Sequence, residues 1–220
     1  HLVACARPVA EAAPLLFRSV QPGLDYVCAA RVDGATAVGG AAHVLRLDLK
    51  QLTLRAVLAA QTGTPLAGAE AFVRAADAVA AINGGYFDPE FRPLGLIVDQ
   101  GVELAPLRKV DHGVFAIVAG TASVCHASEW MRPPQVEFAL QCGPRLLVAG
   151  QVPHFRSAEA ARRTALGVDA QGRVLVVVTA AALSLDALAQ WMRRPLASGG
   201  LGATQALNLD PDHVEARVSL

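Results

Sequence analysis

Lysine, aromatic residues and long apolar runs are scarce in this sequence. Only Lys50 and Lys109 are lysines, and aromatic residues make up 5% of the 220 residues. The formal net charge is +0, so no overall electrostatic attraction to nucleic acid is expected and we predict no nucleic-acid partner. No apolar run approaches the roughly 20 residues that a membrane-spanning helix needs, so we predict no transmembrane segment.

Common catalytic and metal-binding motifs are also absent. The sequence contains no GxxxxGK[ST], HExxH or GxSxG motif. None of its four cysteines forms a CxxC pair, which argues against a zinc or thioredoxin-like site; disulfides and buried free thiols both stay open. The six histidines lack metal-ligand spacing, although His112 follows Asp111, which could orient its ring. We therefore predict no metal site and no cofactor, while a divalent metal stays open.

The chain divides into a short arm and one domain. Residues 1–22 are rich in Ala and Pro and are interpreted as an N-terminal arm, and residues 23–220 are long enough and apolar enough, at 53% hydrophobic for the whole chain, to form one domain. The stretch LVAC at residues 2–5 is similar to the end of a bacterial lipoprotein signal. The match is short and allows a lipid anchor at Cys5 of an exported protein, whereas an apolar arm packing on the core is the interpretation we favour.

Hydrophobic patterning predicts many strands and two main helices. Residues 42–50 alternate as a half-buried strand does, and the alternation continues through residues 51–58. Hairpin turns are predicted at residues 99–101 and 170–172. One helix is predicted over residues 66–76 and a second after the N-cap Ser184. Further strand candidates are residues 26–30, 78–83, 113–119, 136–142, 145–150 and 205–210. This pattern predicts a single α+β domain with a mixed or mostly antiparallel twisted sheet of about ten strands.

Polar residues cluster at the ends of these predicted strands. The stretch NGGYFD at residues 83–88 follows one strand, QCGPR at 141–145 interrupts another, and RRT at 162–164 opens a third. Strand alternation places Asn208 and Asp210 on the same side of the last strand. Two buried polar groups are costly unless they meet partners or a ligand, so these strand ends could form a site or could satisfy one another within turns.

Five segments together resemble the phosphodiester glycosidase family. They are AAINGGYFDPEFRPLGLIVDQG from residue 80, QCGPRLLVAGQV from 141, RRTALGVDAQGRVLVVVT from 162, LSLDALAQWM from 183 and ATQALNLD from 203. The resemblance covers about residues 40–210. It implies an exported α+β hydrolase that cleaves a sugar from a phosphodiester at the anomeric carbon, with a glycan or sugar phosphate as its substrate.

The resemblance and the chemistry of a phosphodiester suggest roles for the strand-end residues. Arg163 would bind the phosphate through two parallel hydrogen bonds. Asp88 and Asp210 would be the carboxylates, one acting as base or nucleophile and the other as acid or hydroxyl ligand. The glycines would allow backbone N–H groups to approach the ligand. The predicted substrate-binding residues are Asn83, Gly84, Gly85, Tyr86, Gln141, Gly143, Thr164 and Asn208, whereas Phe87 is expected in the core.

The sequence departs from the family pattern directly after Asp210. The family usually has a Gly-Gly-Gly-Ser or similar loop there, and this chain has Pro211, which lacks an N–H donor. Either the loop is lost, or a segment between Asp210 and Pro211 is missing from the sequence, which is the interpretation we favour. A lost loop would favour a non-catalytic glycan-binding or envelope-structural domain. A metal-dependent phosphodiesterase is a third hypothesis, disfavoured by the histidine spacing.

Overall fold

The computed structural model describes residues 13–63 and 68–210, together with the backbone of residues 216–218. Its strands are β1 Arg18–Gln21, β2 Leu24–Ala29, β3 Arg31–Val32, β4 Ala35–Thr36, β5 Ala42–Leu47, β6 Ala80–Ile82, β7 Ile97–Asp99, β8 Val102–Ala105, β9 Gly113–Val118, β10 Thr121–His126, β11 Val136–Cys142, β12 Arg145–Leu147, β13 Thr164–Asp169, β14 Val174–Thr179, β15 Ala203–Asn208 and β16 Ala216–Val218. The α-helices are α1 Ala69–Ala76 and α2 Leu185–Arg193, and three short 3₁₀ helices span Ala59–Thr62, Ala127–Glu129 and Leu196–Ser198.

Two antiparallel sheets dominate the fold. The larger has seven strands in the order β1-β2-β5-β14-β13-β15-β12, and the smaller has five in the order β10-β9-β11-β7-β8. β6 pairs with β16, and β3 pairs with β4, in two separate two-stranded ribbons. Five of the twelve neighbouring strand pairs are consecutive in the chain and form hairpins, namely β1–β2, β3–β4, β7–β8, β9–β10 and β13–β14, and the other pairs join strands that are distant in sequence.

Three apolar clusters hold these layers together. One face of the seven-stranded sheet packs on α2, with Trp191 and Met192 fully buried against it. Its other face packs on the five-stranded sheet, where Phe115 and Phe138 meet edge to face with ring centroids 6.2 Å apart. The outer face of the five-stranded sheet carries a smaller cluster around Val98 and Val114. Both faces of the larger sheet are therefore buried over most of their area, which explains the continuous apolar runs of β13 and β14.

The second helix begins as its sequence predicts. The Ser184 side chain accepts a hydrogen bond from the Ala187 N–H at 3.1 Å, which satisfies one of the donors left free at a helix start. The helix ends before Pro195, and Trp191 Nε1 donates to the Gly199 carbonyl at 2.9 Å. The first helix is shorter than predicted and is preceded by residues outside the described part of the chain.

The α+β class, the largely antiparallel pairing and the two main helices are confirmed, but three details of the prediction are wrong. The strands form two main sheets and two ribbons rather than one sheet, and they are more numerous than about ten. The strand predicted over residues 78–83 is confined to Ala80–Ile82. Residues 51–58 do not form a strand. Their extended backbone is held by Asp99, which accepts the Ala56 N–H at 2.9 Å and both Nε and Nη2 of Arg55, so a side chain replaces the ladder partner.

Candidate active site

The polar ends of four strands meet at one end of the seven-stranded sheet. The Leu209 N–H donates to the Thr164 carbonyl at 2.9 Å, which joins the end of β15 to the start of β13. The Asp210 N–H donates to the Gly84 carbonyl at 3.3 Å, which adds the loop after β6. The Asn208 N–H donates to the Pro144 carbonyl at 3.0 Å, which adds the start of β12. The residues assembled here, called the strand-end cluster below, are Asn83, Gly84, Tyr86, Cys142, Gly143, Arg163, Thr164, Asn208 and Asp210.

Asn83 joins two walls of the strand-end cluster. Its Nδ2 donates to the Asp210 carbonyl at 2.8 Å, and its Oδ1 accepts from Thr164 Oγ1 at 2.7 Å. Asp210 is 5% exposed and Thr164 is fully buried. The Asn83 side chain therefore fixes the position of the Asp210 backbone relative to β13, and its Oδ1 and one Nδ2 hydrogen are already in use.

Asn208 presents a buried acceptor that lacks a donor. Its Nδ2 donates to the carbonyls of Leu209 and Gly143, at 2.7 and 3.2 Å, which fixes the orientation of the amide because both partners are acceptors. Its Oδ1 then points away from both carbonyls and has no hydrogen-bond partner within the described residues, although Asn208 is only 1% exposed. A buried acceptor of this kind calls for a hydroxyl or a water molecule.

Arg163 contributes a cation to the strand-end cluster. It is 7% exposed, and its Nε and Nη2 donate to the carbonyls of Leu183 and Glu159 at 3.1 and 2.9 Å. No carboxylate within the described residues forms an ion pair with it, although the more distant Glu159 carboxylate favours its charge. Burial lowers the pKa of the guanidinium, which means that its charge is held at a desolvation cost.

Tyr86 and Cys142 form the uncharged wall of the cluster. Tyr86 donates its phenolic O–H to the Gly143 carbonyl at 2.7 Å. Burial raises the pKa of Tyr86, and the neighbouring Cys142 and Asp210 add to the increase. Burial also raises the pKa of Cys142 to about 12. Both groups are therefore protonated at neutral pH, so Cys142 lacks the thiolate that a nucleophilic cysteine needs.

His112, which the sequence suggested only through its neighbour Asp111, lies against this wall. Its ring lies 5.5 Å from the Tyr86 ring, and a Cβ at Gly143 would stand 2.8 Å from its Cδ2. Its Nδ1 is buried and has no partner within the described residues. The Asp111 carboxylate instead accepts a hydrogen bond from His126 Nε2 at 3.0 Å. Gly143 is thus needed because a side chain there would displace His112.

Both glycines after Asn83 were predicted to let a ligand approach the backbone, but their surroundings in the structure differ. A Cβ at Gly85 would stand 2.9 Å from the Gln141 carbonyl, so this glycine allows the backbone to approach β11. A Cβ at Gly84 would meet nothing within 4 Å, and Gly84 is exposed. Gly84 alone keeps an open face toward solvent.

Gln141 is engaged in structure rather than directed at a ligand. Its Oε1 accepts the N–H groups of Leu96 and Arg108 at 3.0 and 2.9 Å, and its Nε2 donates to the Arg108 carbonyl at 2.7 Å. Gln141 is 1% exposed. The side chain ties residues 96 and 108, on either side of the β7–β8 hairpin, to the end of β11.

Asp88 belongs to a turn. Its Oδ1 accepts the N–H groups of Glu90 and Arg92 at 3.0 and 2.9 Å, and its Oδ2 accepts Arg92 Nε at 2.8 Å. The backbone hydrogen bond from Arg92, followed by the Arg92 side chain, holds the pKa of this carboxyl below its ordinary value. Its oxygens are directed into its own loop, which differs from the catalytic role predicted for it.

The same turn occurs between β13 and β14. Asp169 Oδ1 accepts the N–H groups of Gln171 and Arg173, and its Oδ2 accepts Arg173 Nε at 2.8 Å. The backbone bonds of the two turns also match, and residue four of each turn, Phe91 or Gly172, has a left-handed φ of 61° or 76°. Because the second turn is an ordinary hairpin, the match supports a structural role for Asp88.

Other features lie away from the cluster or outside the described residues. One groove of about 540 Å³ lies between residues 49–55 and the start of β11, and another of about 350 Å³ lies at the end of α2.

In the described part of the chain, no three His, Cys, Asp or Glu side chains come together as metal ligands, and no helix is long and apolar enough to cross a membrane. Three cysteines are free thiols: Cys28, Cys125 and Cys142. Cys5 and the junction after Asp210 lie outside the described residues.

A family model described as phosphodiester glycosidase matches residues 76–210 of the chain. Among curated proteins, the uncharacterized protein YigE of Escherichia coli K12 is 24% identical over 111 residues, which cover 45% of this chain and 44% of YigE. The chain therefore spans less than half the length of that relative.

Two solved structures share the fold. The zebrafish N-acetylglucosamine-1-phosphodiester alpha-N-acetylglucosaminidase catalytic domain, auto-inhibited by its pro-peptide, has a TM-score of 0.67 at 15% identity, over 94% of this chain and 76% of that one. A hypothetical protein from Synechocystis has a TM-score of 0.58 at 15% identity, over 95% of this chain and 60% of that one.

Proposed function

Since this chain belongs to the phosphodiester glycosidase family, we propose that it hydrolyses the bond between the anomeric carbon of a sugar and a phosphodiester, with a GlcNAc-like sugar in an envelope or extracellular glycan. The observation that carries this proposal is the buried Arg163 cation, which acts electrostatically on Tyr86 in the strand-end cluster together with the Asp210 carboxylate. Family membership gives the class of reaction, and the cluster gives the residues that we assign to it.

Arg163 is assigned to the phosphate. A guanidinium that is 7% exposed and has no carboxylate partner within the described residues is expected to bind an anion. Its Nε and Nη2 already hold two backbone carbonyls, which orient the group. Its Nη1 makes no hydrogen bond within the described residues and is the donor we assign to a phosphate oxygen. The phosphate would therefore bind through Nη1, and not through the two parallel hydrogen bonds predicted from the sequence.

Asp210 is assigned to the anomeric carbon. In a single displacement, Asp210 takes a proton from water, the water oxygen bonds to the anomeric carbon, and the carbon–oxygen bond to phosphate breaks. The electron pair of that bond leaves with the phosphomonoester. In a double displacement, the Asp210 carboxylate first bonds to the anomeric carbon as the carbon–oxygen bond to phosphate breaks, and water then replaces Asp210 on that carbon and releases the sugar. The anomer of the first-formed sugar distinguishes the two routes.

One carboxylate is enough for this leaving group. A phosphomonoester stabilises the departing negative charge, and Arg163 adds to that stabilisation. The reaction therefore does not need a strong general acid, which agrees with the placement of Asp88 in a turn. Asn208 Oδ1 is assigned as the acceptor for a sugar hydroxyl, and the exposed Gly84, whose carbonyl accepts the Asp210 N–H, lies next to Asp210.

The test is hydrolysis of GlcNAc-1-phosphomethyl by the full encoded protein. We expect Asp210→Asn, which keeps the shape of the side chain, to lower kcat/KM by about 100-fold or more. Arg163→Lys keeps the charge and loses the planar donor arrangement, so we expect it to lower kcat/KM as well. The control is Asp169→Asn, which alters the matching turn away from the cluster. Turnover that neither cluster substitution changes would refute the residue assignments.

A non-catalytic glycan-binding or envelope-structural domain is the second candidate. The observation that favours it is the sequence Pro211-Asp212-His213 where the family usually has a glycine-rich loop with a serine. For a protein of this kind, calorimetry would detect binding of the sugar phosphodiester, and the activity assay would detect no hydrolysis. We further propose that the protein acts after export, which fractionation of cells producing the full encoded chain would test.

A further inference from the structure

A serine, a histidine and an aspartate are joined by hydrogen bonds outside the strand-end cluster. His126 is the last residue of β10. Its Nδ1 lies 2.6 Å from Ser128 Oγ, and its Nε2 lies 3.0 Å from Asp111 Oδ1. These three residues are called the serine triad below. A nucleophile bonded to a base that a third group orients is the arrangement of a nucleophilic hydrolase, whatever the order of the residues in the chain.

The partners of the His126 ring determine which nitrogen carries its proton. The hydrogen bond from His126 holds the pKa of Asp111 below its ordinary value, so at neutral pH this carboxylate is ionised and only accepts. Nε2 therefore carries the ring proton, and Nδ1 is an acceptor. The Ser128 N–H, which points at Nδ1 from 3.2 Å, agrees with this assignment. The Ser128 hydroxyl then donates to Nδ1, which is the direction in which a base takes a proton from a nucleophile.

Backbone hydrogen bonds hold the two segments of the serine triad together. The Ala127 N–H donates to the His112 carbonyl at 2.9 Å, which joins the loop of Asp111 to the end of β10. The His126 N–H donates to the Glu129 carboxylate at 3.1 Å. The His126 side chain is 22% exposed, whereas Ser128 and Asp111 are open to solvent. The base is therefore fixed, and a substrate can reach the serine hydroxyl.

Arg145 adds an unpaired cation beside the triad. Gly113 lies directly opposite His126 on the neighbouring strand, so the two positions face the same side of the sheet. A Cβ at Gly113 would stand 2.6 Å from Arg145 Cγ, which shows that the Arg145 side chain passes next to His126. Its guanidinium makes no hydrogen bond or ion pair with the described residues, and its charge acts on Asp111 and Cys125. A cation in this position can stabilise a negative charge that develops on a substrate oxygen.

We propose that the serine triad is a second active site, which hydrolyses a small carboxylic ester by acyl transfer through Ser128. This activity is separate from the proposed function and does not depend on it. Cys142 lies opposite Gly113, and Gly113 opposite His126. Neighbouring strands are about 4.8 Å apart, so the His126 backbone lies roughly 10 Å from Cys142 of the strand-end cluster. The exposed side chains beside Ser128 are polar, which favours a short acyl group such as acetyl.

The reaction proceeds in two acyl transfers. Ser128 Oγ bonds to the ester carbonyl carbon while its proton passes to His126 Nδ1, and the carbonyl oxygen takes the negative charge that Arg145 stabilises. The bond from that carbon to the alcohol oxygen then breaks, and the alcohol leaves with the proton from His126. In the second transfer, His126 takes a proton from water, and the water oxygen replaces Ser128 on the acyl carbon. The products are the carboxylic acid and the free serine.

Two probes of the full encoded protein test the proposal: p-nitrophenyl acetate as substrate, and a fluorophosphonate that modifies activated serines. We expect mass spectrometry to locate the fluorophosphonate on Ser128. His126→Gln should slow this modification by about 100-fold, the usual effect of a general base. Ser128→Ala should abolish it and lower the rate of p-nitrophenyl acetate hydrolysis by a similar factor. The matched control is Ser123→Ala, at an exposed serine on the same strand, which should change neither readout.

The positioning role of Asp111 has a readout of its own. Nitrogen NMR of the His126 ring should show the proton on Nε2 in the parent protein. In Asp111→Asn the two tautomers should mix, because the amide can donate as well as accept. Modification of Ser128 should slow in the same variant. An unchanged tautomer together with unchanged modification would overturn the role of Asp111.

The remaining outcomes each support or overturn the second active site. Modification at Ser128 that requires His126, in variants with the melting temperature of the parent, supports it. An unmodified Ser128, or one modified as fast in His126→Gln, overturns it. Ester hydrolysis that His126→Gln abolishes and Ser128→Ala retains would show direct attack by the imidazole and would also overturn it. Asp210→Asn should leave both readouts unchanged, and loss of ester hydrolysis in that variant would place the activity in the strand-end cluster instead.

Discussion

Replacing Gln141 with leucine should destabilise the protein rather than weaken substrate binding. The change removes three side-chain hydrogen bonds, to the Leu96 N–H, the Arg108 N–H and the Arg108 carbonyl. Leucine fills a similar volume, so the effect is dominated by the backbone groups that lose their partners. The Leu96 N–H is buried, whereas the groups of Arg108 are partly accessible to water.

The expected loss follows from these environments. An unsatisfied buried N–H costs about 1–3 kcal/mol, and the two groups near solvent add about 1 kcal/mol together, so Gln141→Leu should cost about 2–4 kcal/mol. For a chain of this size, each kcal/mol lowers the melting temperature by about 2–4 °C. The melting temperature should therefore fall by roughly 5–15 °C.

The assay is calorimetry beside substrate kinetics, with Gln205→Leu as the matched control. Gln205 also accepts a backbone N–H, that of Val124, through its Oε1. In the part of the chain that the structure describes, its side chain makes only this one hydrogen bond, so its replacement should cost about 1 kcal/mol. If Gln141→Leu is no less stable than Gln205→Leu and instead raises KM, then Gln141 contacts substrate and the assignment of its side chain to structure is refuted.

Two further predictions concern the strand-end loops. Because the pKa of Asp88 is held below its ordinary value of 3.8, chiefly by the Arg92 N–H, its contribution to stability is present at neutral pH and is lost as the pH falls through the lowered pKa. The melting temperature of Asp88→Asn should thus fall less between neutral and acidic pH than that of the parent. The variant should keep its kcat. A large loss of kcat would show that Asp88 takes part in the reaction. Gly143→Ala places a Cβ 2.8 Å from His112 Cδ2, so it should cost about 1–3 kcal/mol and shift the His112 NMR signals; unchanged signals and stability would contradict the packing described.

Local patterns in the sequence were sufficient for much of the fold. The turn at Gln100 and Gly101, the hairpin through Gly172 and the helix after Ser184 occur as predicted, because each depends on residues within a few positions of one another. Residues 51–58 show where prediction from local patterns fails. Alternation indicates a half-buried extended chain, but only the tertiary fold brings Asp99 to Arg55 in place of a strand.

The site was predictable in part for the same reason. Polar residues after apolar strands indicated that Asn83, Arg163 and Asp210 would lie at strand ends, and the antiparallel sheet brings those ends together. Which polar groups are already satisfied could not be read from the sequence. The Gln141 side chain accepts a hydrogen bond from a loop residue more than thirty positions away, and the Asp88 side chain accepts one from a residue four positions away. Cys142 and His112 were missed as neighbours of Tyr86, since their contacts depend on how the β11 end packs against other strands.

The position of bond cleavage tests the central claim most directly. GlcNAc-1-phosphomethyl is hydrolysed by the full encoded protein in water enriched in a heavy oxygen isotope, and both products are analysed by mass spectrometry. Attack at the anomeric carbon near Asp210 predicts that the heavy oxygen appears in the hydroxyl group of the released sugar, with methyl phosphate unlabelled. Heavy oxygen in the phosphate product would show attack at phosphorus, as in a phosphodiesterase, and would contradict the roles assigned to Asp210 and Arg163.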